Sequence, residues 1–277
     1  GAGGYFPFGW GGVLGGAAFM FFAYIGFDAV STTAEEARNP GKDLPFGIIM
    51  SLVICTLLYI VVVAILNGMV PFYTLNVPFP VAFAVNSVGL SWAGLIISFG
   101  AIAGLTTVLL VMMYGQTRIF YAMSRDGLIP PVFVKLHPTW RTPWISQIIF
   151  GCLIAAAGAF FPIGVLGSLT NMGTFLAFIF VACAVPLLRN RHPELKGSFT
   201  VPFGPYVIPV CAALSALIMM YYLKNGNPVV WRIPIAWLGF IIWFATGMLF
   251  YFAYGRHKST IALEEAERLA VRQPRVN

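Results

Sequence analysis

Seven apolar runs, each close to the length that crosses a bilayer, divide this 277-residue chain. A span needs about 20 predominantly apolar residues. That criterion picks out Gly11–Ala34, Pro45–Met69, Trp92–Tyr114, Pro143–Phe160, Ile163–Leu188, Tyr206–Leu223 and Ile233–Tyr254. Lipid offers no partner to an open backbone N–H or C=O, so runs of this length fold as helices. The expected fold class is therefore all-α, a polytopic transmembrane helix bundle. A soluble domain is excluded by composition, because 59% of residues are hydrophobic and 9% charged, where a soluble domain carries about a quarter charged.

The net charge of +7 raises the question of a nucleic-acid partner. Its distribution answers it. The connectors Glu35–Leu44, Gly115–Thr142 and Arg189–Pro205, with the tail from Gly255, hold all 16 Lys and Arg except Lys224 and Arg232. Pro71–Ser91 and Phe161–Pro162 hold none. Alternate connectors are basic, which is the positive-inside pattern of a multi-pass membrane protein and needs no nucleic acid. The basic connectors and the C-terminus are then cytoplasmic and Gly1 lies outside. A parent chain starting in the cytoplasm would place an odd number of spans before Gly1, so the sequence reads as the C-terminal part of something longer. The opening GAGGYFPFGWGG has no basic n-region and does not resemble a signal peptide. Cys55, Cys152, Cys183 and Cys211 lie in or near apolar runs without C-x-x-C spacing, so neither a disulfide framework nor a zinc site is expected. His137, His192 and His257 fall in polar connectors and read as solvated rather than metal-binding.

The first span is unlike the others. It carries Asp28, a carboxylate inside an apolar run, and charge at membrane depth persists where it has a partner or a task. From Gly9 to Arg38 a continuous helix would be about 45 Å long, against a hydrocarbon core of about 30 Å. The segment must tilt strongly or break, and Gly26 lies near its middle. A helix unwound there presents free backbone N–H and C=O groups to a ligand or water. Beyond Gly26, Asp28, Ser31, Thr32, Glu35 and Glu36 recur at helical spacing and make one face polar. A pathway leading inward accounts for this stripe better than an Asp paired within a static bundle.

The third span offers a packing face, with Gly100, Ala103, Gly104 and Thr107 at i, i+3, i+4 and i+7. Thr106 and Thr107 either bond back to their own helix at i−4 or serve as ligands beside a broken helix. Arg118 and Arg125 at the inner end either snorkel or pair with Asp126 and the acids near Glu35 as an inner gate. The uncharged PFPVAFAVNSVGL is too short to span and suggests a short helix over the outer mouth. Ser124–Arg141 mixes basic and apolar residues and suits the headgroup interface. Ile261–Arg272 reads as a soluble amphipathic helix with Glu264 four residues before Arg268.

Two stretches carry a family resemblance. FFAYIGFDAVSTTAEEARNP followed by KDLPFGI, and GAIAGLTTVLLVMMYGQTRIFYAMSRDGLIP, resemble the cationic amino acid transporter family of the amino acid–polyamine–organocation superfamily, especially its bacterial proton-coupled members. The resemblance implies a LeuT-type fold, two inverted repeats of five spans plus two more, of which this chain is the C-terminal portion, spans 6 to 12. Residues 1–160 would belong to the second repeat, including a broken helix over 11–34. Residues 161–188 would be its last span, 189–255 the two additional spans and 256–277 a cytoplasmic tail. The resemblance implies that unwound backbone at Phe22, Ala23, Tyr24, Ile25 and Gly26 contacts the amino end of an amino acid, with Phe22 at an aromatic-gate position. It makes Asp28 the candidate for proton coupling and puts Thr106 and Thr107 where sodium-coupled relatives of the wider fold place ion ligands.

The function so implied is secondary active transport of amino acids, proton-coupled and by alternating access, in the cell membrane. No cofactor or metal is expected. The partners are the amino-acid substrate, the proton, the bilayer and the N-terminal spans of the same transporter. Those spans hold the broken helix whose N-terminal dipole takes the substrate carboxylate, so the chain alone offers half a site. The competing reading is a non-transporting scaffold subunit or channel-like bundle, though a pore would repeat its polar ring across several spans. An enzyme is not expected, because no buried nucleophile–base pair appears. The glycines Gly9, Gly11, Gly12, Gly15 and Gly16 lack the preceding strand and following G-K-[ST] of a nucleotide loop.

Overall fold

A computed structural model describes residues 8–27, 29–31, 37–191, 204–223, 229–230 and 233–259. The described chain is helical apart from a two-residue antiparallel ladder, Val229–Val230 with Ile233–Pro234. Among the described residues, five helical segments are long and apolar enough to cross a membrane, and two apolar helices are shorter. Over the described residues, the seven apolar runs of the sequence thus correspond to five segments of full span length and two shorter apolar helices.

In chain order the helices are α1 (Gly9–Met20), α2 (Pro40–Met69), α3 (Pro80–Ser87), α4 (Ser91–Arg125), α5 (Trp144–Phe160), α6 (Ile163–Arg191), α7 (Gly204–Tyr222) and α8 (Ile235–Phe250). Short 3-10 segments follow α1, α2 and α4 at Phe21–Tyr24, Phe72–Leu75 and Pro131–Val134. A π-helical turn, Tyr251–Gly255, extends α8.

Two compact units are distinguished, one of Gly26–Gln116 and one that joins Gly1–Ile25 to Thr117–Asn277. In the first, α2 opens with Pro40 at its first position, where a missing N–H costs nothing. The Asp43 carboxylate accepts the Asn39 N–H at 3.3 Å while the Asp43 N–H donates to the Asn39 carbonyl at 2.9 Å. This reciprocal pair fixes the helix start and puts a negative charge at its positive end. The helix stops at Met69 because Pro71 forces Val70 into extended backbone, φ −141° and ψ 152°. The short apolar stretch between α2 and α4 folds into α3, eight residues long. Along α2 and α4 the large apolar side chains face outward, Leu57, Phe99, Leu105 and Leu110 among them. Only lipid or further protein can cover such faces.

The second unit contains the main core. Ala18 of α1, Met172 and Phe175 of α6, Ala216 and Met220 of α7 and Ala236 and Phe240 of α8 form one buried cluster. Alanines at the contacts let helices approach closely in a setting where packing, not water, drives association.

The third span corrects an expected boundary. The apolar run ends at Tyr114, but α4 continues to Arg125, so the first part of the supposed connector Gly115–Thr142 is helix. Nothing from Gln116 to Arg125 breaks a helix, and polarity alone had suggested a loop. The stop comes at Gly127, φ 75°. The Leu128 N–H donates to the Met123 carbonyl at 2.9 Å and the Gly127 N–H to the Ser124 carbonyl at 3.2 Å, the pair of bonds that closes a helix through a left-handed residue. The Ser124 hydroxyl then donates to the Pro130 carbonyl at 2.7 Å, and Phe120, Phe133 and Phe150 pack together beyond it. The tail helix expected over 261–272 lies outside the described residues.

Candidate functional site

The first span does not run as one helix. α1 is regular to Met20, and the Phe21 N–H still donates to the Ala17 carbonyl. From Phe21 to Tyr24 the backbone tightens into a 3-10 turn, in which the Ile25 N–H reaches the Phe22 carbonyl at 3.3 Å. Ile25 is then extended, with ψ 129°, and Gly26 takes φ 126°, a conformation open in practice to glycine alone. Helical turning resumes as the Ala29 N–H donates to the Gly26 carbonyl at 3.1 Å. The space at Gly26 is also limited, since a Cβ there would lie 3.2 Å from the Met112 methyl.

Such an interruption changes which backbone groups have partners. Passing from i+4 to i+3 bonding and then to extended backbone takes carbonyls and N–H groups out of the regular helical ladder. The five residues singled out in the sequence, Phe22, Ala23, Tyr24, Ile25 and Gly26, occupy this interruption. Phe22 is exposed, and Tyr24 to Gly26 are half-buried.

Other candidates are distributed along the chain. Ser31 ends a short 3-10 turn after the interruption and is exposed. Asp28, Thr32, Glu35 and Glu36 lie outside the described residues. Thr106 and Thr107, on α4, donate to the Ile102 and Ala103 carbonyls, each at 2.8 Å; their donors are thus used within the helix, and their lone pairs remain to accept. Arg118 and Arg125 lie on the polar end of α4, where Arg125 Nε stands 3.5 Å from the Asp126 carboxylate. Among the described residues, no group of three His, Cys, Asp or Glu side chains comes together to hold a metal ion.

One residue that matters to the interruption is absent from the sequence reading. Asn171, in the middle of α6, is fully buried, and its Nδ2 donates to the carbonyls of Ala18 at 3.0 Å and Phe19 at 3.2 Å. Gly167, Asn171 and Phe175 form a stripe at spacing four that tracks the end of α1. Phe19 and Phe22 lie over Gly167, and Phe21 packs on Phe175. The available signal was the pair of polar residues Ser168 and Asn171 set among apolar neighbours, with Phe175 on the same face.

Comparison with known proteins decides what kind of molecule carries this geometry. The family model described as "Amino acid permease" matches residues 2–253. The chain belongs to the amino acid permease family. Members are transporters rather than enzymes, and this permease chain is a multi-pass membrane protein. It is 47% identical to the methylthioribose transporter of Bacillus subtilis (strain 168), over 93% of this chain and 54% of that protein. It is 44% identical to the branched-chain amino acid permease BcaP of the same organism, over 93% of this chain and 53% of that protein. The vacuolar cationic amino acid transporter 4 of Arabidopsis thaliana is 44% identical over 69% of this chain and 32% of that protein. The chain therefore spans about half the length of its bacterial relatives. The cationic family suggested by the motifs is one group among its relatives, and the shared ground is the amino acid permease family.

Proposed function

We propose that the complete transporter containing this chain is a proton-coupled importer of amino acids working by alternating access in the cell membrane, with its C-terminus cytoplasmic. The observation that carries this reading is the interruption from Phe21 to Gly26. It takes backbone out of regular helical bonding inside an otherwise apolar segment of membrane length. In this reading the backbone of Phe22, Ala23, Tyr24, Ile25 and Gly26 takes the amino end of the substrate. Phe22 closes over it, and Asp28 carries the coupling proton. Ser31, Thr32, Thr106 and Thr107 line the route, while Glu35, Glu36, Arg118 and Arg125 form the inner gate. The N-terminal spans of a LeuT-type fold complete the site by binding the carboxylate. The outward apolar faces of α2 and α4, and the open space beside Gly100 and Gly104 among the described residues, support a need for further spans.

A second substrate class is favoured by one comparison. The relative at 47% identity is a transporter of methylthioribose, a thioether sugar with neither ammonium nor carboxylate. The test is competition for uptake into proteoliposomes holding the complete transporter. Labelled leucine uptake that is blocked by excess neutral or cationic amino acids and untouched by methylthioribose is expected. Blockage by methylthioribose alone would favour the sugar, and absence of uptake or competition by any of these compounds would favour a scaffold or channel-like bundle.

A further inference from the structure

We infer that Asn171 is a positioning residue that sets where the first span breaks, by adding side-chain hydrogen-bond donors from α6 to the carbonyls at the end of α1. Its Nδ2 donates to two consecutive carbonyls, Ala18 O at 3.0 Å and Phe19 O at 3.2 Å, the last turn before the 3-10 segment Phe21–Tyr24. Carbonyls only accept, so their placement fixes the orientation of the amide with its NH2 group toward α1. The residue is fully buried, and its chain neighbour Met172 and its partner Ala18 belong to the apolar core. Asn171 Oδ1 is buried as well and has no partner among the described residues. Such an atom is costly in a residue kept only for packing. An apolar side chain of the same size would fill the volume without that penalty; what it would lack is the donor pair.

Through these two bonds α6 holds the α1 end of the interruption against the aromatic pair Phe21 and Phe175. A helix otherwise free to continue in regular i+4 bonding is stopped at a defined residue. The substrate-contact backbone starts two residues beyond Met20, so its position follows from that stop.

The test uses the complete transporter with Asn171→Leu, which keeps volume and removes the donors, and Asn171→Asp, which donates only when protonated. The uptake arm rests on the transport reading; the backbone arm, hydrogen–deuterium exchange of the peptide covering 18–27, does not. Asn171→Leu should exchange faster in that peptide and raise KM about tenfold, the size of one lost buried hydrogen bond, with a smaller change in maximal rate. Asn171→Asp, normalised to the unsubstituted protein at each pH, should recover toward it as pH falls, because only the protonated carboxyl offers a donor. If Asn171→Leu accumulates poorly, Asn171→Asp decides through its pH profile. Unaltered exchange over 18–27 in Asn171→Leu overturns the inference, as does an Asn171→Asp defect that is the same at every pH. Absence of uptake in the unsubstituted protein removes the transport reading and leaves the exchange comparison to judge Asn171.

Discussion

The ring of Phe175 lies 4.6 Å from that of Phe21, centroid to centroid, with the planes tilted by 43°. Phe21 also meets Phe178 edge-on at 5.9 Å. The first residue after α1 is thus clamped by aromatic side chains of α6, at the point where the backbone leaves regular helical bonding. In the proposed reading, where this segment presents its backbone to substrate, these rings hold it from behind.

Phe175 is almost fully buried, so Phe175→Ala removes both the ring pair and the core volume. A cost of about 3–5 kcal/mol is expected for such a truncation. The check is thermal unfolding of this chain in detergent, compared with truncation of the exposed Phe99, which should change little. Equal effects of the two would contradict the assignment of the core.

Gly26 should resist replacement even by alanine. Its φ of 126° is strained for any side chain, and a Cβ would press within 3.2 Å of Met112. The penalty is of order 1–3 kcal/mol, borne locally. Gly26→Ala should therefore weaken substrate binding more than it lowers the amount of folded protein in the membrane, measured by ligand binding against fluorescence-detected size exclusion. Undiminished binding would mean that the turn tolerates a side chain.

The C-terminal end of α4 is closed by Gly127 in left-handed backbone. Gly127→Val should cost about 1–2 kcal/mol at that site and fray the helix end. Limited trypsin digestion of inside-out vesicles should then cut faster at Arg125 in the variant. An unchanged rate would show that the Ser124–Pro130 bond and the Phe120, Phe133 and Phe150 cluster hold the turn alone.

The spans were legible because lipid imposes a length and an apolar composition on each. The glycine in the middle of an over-long first segment marked where trouble would fall, and the structure shows the backbone leaving the helix from Phe21 to Gly26. The continuation of α4 to Arg125 was not legible from hydropathy, which registers the loss of apolar character at Gln116 and Arg118 but not the absence of a helix breaker before Gly127. Asn171 was missed for a different reason. A single amide in an apolar run has no periodic signature of its own, and its task depends on carbonyls 153 and 152 positions away. For the candidate site, sequence supplied the segment Phe22 to Gly26, and its support from α6 emerged only in three dimensions.

The central claim, that an interrupted first span binds substrate and couples it to protons through Asp28, is tested most directly by uptake of labelled amino acid into proteoliposomes with an imposed inward proton gradient. The complete transporter is compared with its Asp28→Asn variant. The account predicts gradient-stimulated uptake in the former, and in the variant substrate binding or exchange that no longer responds to the gradient. Uptake in Asp28→Asn that responds to the gradient as strongly as in the unsubstituted protein would contradict it.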